Sequence, residues 1–172
     1  ISFKHDRQNS CKTPNLNKFI YLKKLKLDET KSLDLLKSNS ITELIIQGFS
    51  GSLKWLSSFS QLESLNLNIS KYSRDGVQDE DNFKYLVNLK ELKLDLAGKL
   101  KNVNFLSECK KLQKLELSIS DNYSEPVKDI SGLSNLINLE ELVVYGLKGD
   151  LDITPIGNCK NLKNLSLNFK SL

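Results

Sequence analysis

The chain has 172 residues, which is enough for one domain but not for two of ordinary size. Its 25 basic and 21 acidic residues leave a formal net charge of +4, and Arg7 and Arg74 are the only arginines. Nucleic-acid-binding domains concentrate arginine for bidentate contacts, so this composition argues against a nucleic-acid partner. No run of 18 apolar residues occurs, and the sequence therefore predicts no membrane span.

Leucine accounts for 33 residues, which indicates one repeated packing position. The pattern L-x-x-L-x-L occurs seven times, with conservative substitutions. In chain order its apolar positions are Leu22-Leu25-Leu27, Ile41-Leu44-Ile46, Leu62-Leu65-Leu67, Leu89-Leu92-Leu94, Leu112-Leu115-Leu117, Leu139-Leu142-Val144 and Leu162-Leu165-Leu167. Both leucines of each L-x-L point to one side of an extended chain, which predicts short strands. Such a strand cannot bury that side alone, so the copies must stack as a parallel ladder.

Apolar residues at steps of three precede most copies, as in Ile130-Leu133-Leu136-Leu139. This spacing predicts 3₁₀ turns or irregular loops that return the chain behind the strands. With these features the chain resembles the leucine-rich repeat family over residues 16–170. The resemblance implies an α/β solenoid, a right-handed superhelix with short parallel strands on its concave face and mostly loops or 3₁₀ turns on its convex side.

The repeat pattern also predicts the domain organisation. We expect residues 1–15 to be an N-terminal leader or the remnant of a preceding segment. Residues 16–172 are expected to form one leucine-rich repeat domain of seven repeats, the last of them truncated. The last repeat carries no polar cap, so we expect its core to be covered by a neighbour in a larger chain or complex.

Two features depart from the usual family pattern. Many members carry Asn three residues after the last Leu of the motif, whereas this chain has Thr30, Ser70, Ala97, Ser120 and Leu147 there, so no Asn ladder is expected. The repeats also alternate in length. Residues 62–111 align without gaps to residues 112–161, which makes the unit a double repeat whose longer member carries a polar excursion.

Cysteine usage indicates the compartment. Cys109 and Cys159 occupy the same apolar position two repeats apart, so we expect two buried, free thiols. At roughly 4.8 Å per strand they lie about 10 Å or more apart, beyond the limit of about 7 Å between the Cα atoms of a disulfide. The paired-cysteine caps of extracellular leucine-rich repeat proteins are missing, which predicts an intracellular, cytoplasmic location.

The sequence offers little for catalysis. The one histidine, His5, precedes the repeats, and no phosphate-binding or zinc-binding motif occurs. The acidic cluster Asp75, Asp79, Glu80 and Asp81 lacks the glycine that a calcium loop needs, so we expect a solvated loop there. We therefore predict that the chain is not an enzyme and has no catalytic residues, cofactor or metal site.

The third, fifth and seventh positions of each repeat are expected to line the concave face, where the family usually binds its partners. Four lysines face six acids at these positions, which does not suit a polyanion. Tyr145 is the one aromatic residue among them and lies beside Val143, with Glu116 and Glu141 flanking the pair. We predict these four residues to be a partner-binding site, with an incidental solvent-facing pair as the alternative.

A second predicted surface is a column of residues that precede the second leucine of each return segment. Its members are Leu35, Trp55, Tyr85 and Phe105, followed by Gly132 and Pro155. If half-buried, the column widens the core; if exposed, it forms an apolar docking surface on the convex or lateral side.

From these features we predict a non-catalytic protein–protein interaction module, an intracellular scaffold that binds a protein of unknown identity through its concave face. The alternative is a structural subunit, packed permanently in a larger assembly through Trp55, Tyr85, Phe105 and the uncapped C-terminal end. Recognition of nucleic acid or an anionic membrane through lysines on the back is a third and less favoured possibility.

Overall fold

The computed structural model describes residues 2–3, 16–28, 38, 40–70, 77–95, 102–119, 127–147 and 150–169. The strands in this part of the chain are β1 (Ser2–Phe3), β2 (Lys24–Asp28), β3 (Glu43–Phe49), β4 (Gly51–Ser52), β5 (Ser64–Ile69), β6 (Val77–Gln78), β7 (Glu91–Asp95), β8 (Lys114–Ser118), β9 (Glu141–Leu147) and β10 (Asn164–Phe169). β4 pairs with β6, and the other eight strands form one parallel sheet in chain order. β1 pairs with Lys26 and Leu27, so the predicted leader supplies a short strand.

Each copy of the L-x-x-L-x-L pattern supplies one strand of the main sheet, and the predicted parallel ladder is confirmed. Leu92 on β7 pairs with Leu65 on β5 and with Leu115 on β8, so equivalent residues of successive repeats lie side by side. Buried and more exposed residues alternate along these strands. The leucines of each L-x-L therefore point into the core and the residues between them point outwards.

The segments that return behind the sheet contain 3₁₀ helices and, in the described residues, no α-helix. Their bounds are Leu16–Lys18, Lys54–Ser58, Glu80–Tyr85, Asn104–Leu106, Ser131–Asn135 and Thr154–Asn158. The N–H of Leu136 donates to the carbonyl of Leu133, and the N–H of Leu139 to that of Leu136, both at 3.0 Å. Because these bonds span three residues, apolar side chains at steps of three all reach the core. None of the described helices could cross a membrane, since each is too short and too polar.

The core is one continuous cluster that runs along the stack between the sheet and the returns. Aromatic rings strengthen it near β3, where Trp55 makes edge-to-face contacts with Phe49 and Phe59 at centroid distances of 5.8 Å. The core is thus filled by leucine at most strand positions and by aromatic rings at a few return positions.

The two cysteines in the described residues lie in this core as free thiols, whereas Cys11 lies outside them. The Cys109 Sγ–H donates to the carbonyl of Phe83 at 3.7 Å, and the Cys159 Sγ–H donates to the carbonyl of Leu133 at 3.3 Å. These equivalent contacts repeat over 50 residues, in agreement with the double repeat seen in the sequence.

The predicted column of Trp55, Tyr85 and Phe105 requires a correction. Trp55 and Phe105 are only 2% and 9% exposed, whereas Tyr85 is 42% exposed. Trp55 and Phe105 lie seven residues before the first leucine of the next strand motif, but Tyr85 lies four residues before Leu89. Phe83 fills the core there and packs on Phe105 at a centroid distance of 5.0 Å. The three residues therefore form no common exposed surface, and Leu35 lies outside the described residues.

A ladder of side-chain amides joins successive turns, which the sequence analysis did not predict. The amide precedes the first leucine of a repeat and donates to a backbone carbonyl of the preceding turn. The bonds run from Gln61 to Ile41 (3.0 Å), Asn88 to Ser60 (3.0 Å), Asn138 to Lys110 (2.7 Å) and Asn161 to Ile137 (2.8 Å). They hold neighbouring repeats together at a position other than the family's usual Asn.

Candidate functional site

The outward-pointing strand residues form rows across the sheet, and we call this surface the exposed sheet face. The third positions are Lys24, Glu43, Ser64, Glu91, Lys114, Glu141 and Asn164; the fifth are Lys26, Ile45, Asn66, Lys93, Glu116, Val143 and Ser166; the seventh are Asp28, Gln47, Asn68, Asp95, Ser118, Tyr145 and Asn168. Strand pairing places equivalent positions opposite each other, except where a bulge interrupts the seventh row between Gln47 and Asn68.

Lysines on this face pair with carboxylates of neighbouring strands. Lys24 Nζ lies 2.6 Å from Glu43 Oε1, and Lys93 Nζ lies 2.7 Å from Glu116 Oε1. Such exposed pairs contribute only about 0–1 kcal/mol each to stability. The hydrogen bond to Glu116 raises the pKa of Lys93, and slight burial opposes this effect. The pairs therefore neutralise charge on the face more than they stabilise the fold.

Glu141 is a carboxylate of the exposed sheet face without an ion pair among the described residues. Lys114 lies opposite Glu141 in the strand register, but its Nζ lies 3.9 Å from Glu91 Oε1 on the other side. Asp95, by contrast, accepts a hydrogen bond from the Asn68 amide at 2.7 Å. The side chain of Glu141 is thus available to a ligand without first breaking an ion pair.

Tyr145 and Val143 lie on the same side of β9 as Glu141. Tyr145 is 42% exposed and Val143 is half-buried. Glu116 pairs with Val143 across the β8–β9 junction, so the structure brings together the four residues that the sequence predicted. The Tyr145 carbonyl accepts the Ile119 N–H at 3.0 Å, which holds the backbone while the ring faces solvent.

A glycine shapes the strand beside this tyrosine. Gly146 has φ 83°, a left-handed conformation that glycine adopts without a Cβ clash. Leu147, which follows it, is buried although it comes two residues after outward-pointing Tyr145, and the β9–β10 register shifts there. Gly48 on β3 has φ 69° at the equivalent position and precedes buried Phe49. The bulge therefore adds a core contact without moving Tyr145 off the face.

A shallow depression of about 300 Å³ lies on the exposed sheet face. Glu116, Glu141 and Val143 are among its lining residues, while Tyr145 lies beyond them along β9. Because the depression is shallow and open, it can accept one or two side chains of a partner but does not enclose a small molecule.

The sequence analysis missed the Lys93–Glu116 pair, although both residues occupy the fifth position of adjacent repeats and could have been matched on that basis.

The other predicted features do not bring a comparable group of exposed apolar and charged side chains together among the described residues. Of the aromatic set, Tyr85 alone is well exposed, with Lys84 Nζ 5.4 Å from its ring centroid. The predicted acidic loop is part of a 3₁₀ helix that begins at Glu80, and Asp75 lies outside the described residues. No group of three or more His, Cys, Asp or Glu residues in the described part of the chain is placed to hold a metal ion.

Comparison with known proteins identifies the architecture. Neither a protein-family model nor a curated protein matches the chain. Among solved structures, it is similar to an internalin (inlF) of Listeria monocytogenes, with a TM-score of 0.58 and 19% identity over 91% of this chain and 52% of that one. It is likewise similar to internalin C2 (inlC2) of the same species, with a TM-score of 0.59 and 19% identity over 87% of this chain and 64% of that one. Both are leucine-rich repeat proteins.

The chain has the leucine-rich repeat fold. This confirms the predicted solenoid of short parallel strands and 3₁₀ turns. The chain spans between about half and two thirds of the length of the two internalins. At 19% identity the likeness concerns the fold and does not identify the binding residues of this chain.

Proposed function

We propose that this leucine-rich repeat chain is a non-catalytic module that binds a protein partner through the exposed sheet face around Tyr145 and Val143. The observation that carries the proposal is a half-exposed tyrosine beside an apolar side chain on a hydrogen-bonded strand. Tyrosine is enriched at protein interfaces and often contributes a large share of the binding energy. A strand already held in a sheet also loses little conformational freedom on binding.

The surrounding residues support this location. Glu116, Glu141 and Val143 line the neighbouring depression, so a partner side chain can enter beside the tyrosine. No other aromatic residue occupies the outward strand positions of the described repeats. The scaffold role and the intracellular, cytoplasmic location stay predictions from the sequence.

The test is substitution of Tyr145 by Ala. The wild-type chain is first immobilised, and proteins retained from a native extract are identified by mass spectrometry. Against the purified partner, we expect Tyr145→Ala to lower affinity at least tenfold, about 1.4 kcal/mol. The free energy of unfolding should change little, because the ring points away from the core.

Tyr85→Ala is the matched control, since Tyr85 is a tyrosine of equal exposure, 42%, on a return segment. It should leave partner affinity unchanged. A clear loss of affinity in folded Tyr85→Ala, with none in Tyr145→Ala, would instead move the binding site to the returns.

A second candidate function is that of a structural subunit in a larger assembly. It stays a prediction from the sequence, and of its predicted aromatic contacts Tyr85 alone is well exposed, at 42%. Static light scattering separates the two candidates. A binding module stays monomeric in isolation, whereas the structural subunit self-associates as its concentration rises.

A further inference from the structure

The charge on the exposed sheet face is unevenly distributed between two groups of strands. On β7 and β8, Lys93 pairs with Glu116 and Lys114 lies near Glu91, so both cations have carboxylate neighbours. On β9 and β10, the six outward positions are Glu141, Val143, Tyr145, Asn164, Ser166 and Asn168. These two strands therefore present one carboxylate, no cation and two adjacent apolar contacts, Val143 and Tyr145.

We infer that the partner presents a lysine or arginine side chain to Glu141, while an apolar side chain of the same segment lies on Val143 and Tyr145. This inference rests on the proposed function and adds the chemistry of the partner to it. A basic group gains a charge-assisted hydrogen bond with Glu141 without displacing an existing ion pair. An acidic group would meet Glu141 and Glu116 together, and both nearby lysines already have carboxylate neighbours.

The strand geometry determines how far apart the two contacts lie. Glu141 and Tyr145 are four residues apart on β9, which is roughly 13 Å at about 3.3 Å per residue. A partner segment must therefore carry its basic group and its aromatic or aliphatic group about that distance apart. In an extended peptide this corresponds to a spacing of about four residues.

The probe is a display library of random 12-residue peptides, selected on the immobilised chain and depleted on the Tyr145→Ala variant. We expect the retained peptides to contain Lys or Arg about four residues from an aromatic or aliphatic residue. In a synthetic peptide of this set, replacing the basic residue by Gln should lower affinity about tenfold. Glu141→Gln should lower affinity for the basic peptide by a similar factor and should leave affinity for the Gln peptide unchanged.

Glu43→Gln provides the matched control in the protein. Glu43 occupies the same third position, but it pairs with Lys24 and lies four strands from Glu141 in the sheet order. Its substitution should leave affinity for both peptides unchanged. Equal losses of peptide affinity in Glu43→Gln and Glu141→Gln would show that the effect comes from the overall charge of the face, and this would overturn the inference.

The remaining outcomes separate this inference from the proposed function. One such outcome is a set of selected peptides that depend on Tyr145 but show no enrichment of Lys or Arg, or an enrichment of acidic residues. That result would overturn the role of Glu141 while supporting the binding face. A library without any Tyr145-dependent peptide would count against the binding face itself, and the inference would fail with it.

Discussion

β9, which lies inside the sheet, and β10, its last described strand, carry the same apolar pattern in very different surroundings. Leu142 on β9 and Leu165 on β10 pair in register at the same repeat position, yet Leu142 is 0% exposed and Leu165 is 51% exposed. Leu147 and Phe169 differ in the same way. β9 has a neighbour on both sides, whereas β10 pairs with β9 alone among the described strands. Burial in this fold is thus supplied by adjacent repeats, and an identical motif has a different energetic role at each place.

The largest expected difference lies between these two leucines. Leu142→Ala should lower the free energy of unfolding by roughly 2–5 kcal/mol, because it leaves a cavity in a closed core. Leu165→Ala should cost only about 1 kcal/mol, since half of its side chain already contacts water. Denaturant titration measures both values.

Two further variants check the assignment of the strand faces. Leu92→Ala should behave like Leu142→Ala, and outward-pointing Glu91→Ala should stay within about 0.5 kcal/mol of wild type. Equal losses for Leu142→Ala and Leu165→Ala would mean that β10 is covered in solution.

Two glycines of adjacent return segments provide the next contrast. A Cβ on Gly132 would lie 2.6 Å from the Asn104 Cα and 2.9 Å from the Val103 carbonyl oxygen, both in the preceding repeat. Gly132→Ala should therefore destabilise the fold by about 1–3 kcal/mol through overpacking. A Cβ on Gly157 meets nothing within 4 Å, so Gly157→Ala should be neutral or stabilise by up to about 1 kcal/mol. Thermal unfolding of the two variants compares them directly.

The amide ladder gives a smaller effect. Removing the bond from Asn138 to the Lys110 carbonyl with Asn138→Ala should cost about 0.5–1.5 kcal/mol. Asn161→Ala removes the equivalent bond to Ile137 and should cost less, because the repeat of β10 has fewer contacts and opens more readily. Exposed Asn135 makes no side-chain hydrogen bond to another described residue, and Asn135→Ala should lie within about 0.5 kcal/mol of wild type. A larger loss for Asn161→Ala than for Asn138→Ala would contradict this order.

Alkylation of the two cysteines compares an inner repeat with the last described one without any substitution. Burial, and to a lesser extent the charge of Glu108, raises the pKa of the Cys109 thiol to about 12, so little reactive thiolate forms at pH 8. Burial also raises the pKa of Cys159, which lies in the return segment before β10, the last described strand. We expect native alkylation, followed by mass spectrometry, to modify Cys159 faster than Cys109. Both should react fully after denaturation without reductant, and a Cys109–Cys159 disulfide would contradict the strand register.

The sequence alone determined the strands, their register and the residues of the outward face. Leu65, Leu92 and Leu115 could be placed side by side because the alternation of strand side chains is local, and like repeats pair position for position. The grouping of Glu116, Glu141, Val143 and Tyr145 followed from the same rule and is observed.

Only the tertiary structure decided which return residues are buried and which face charges are paired. Steps of three already favoured Phe83 over Tyr85 as a core residue, whereas spacing did not show that Trp55 and Phe105 are buried as well. Those two rings are buried through contacts with other rings, with Phe49 and Phe59 for Trp55 and with Phe83 for Phe105. Side-chain positions between strands likewise decide the ion pairs of the face. Lys93 pairs with Glu116, whereas Glu141 has no such pair among the described residues. Backbone alternation is a property of each repeat, whereas burial and ion pairing are properties of its neighbours, and no single repeat encodes them.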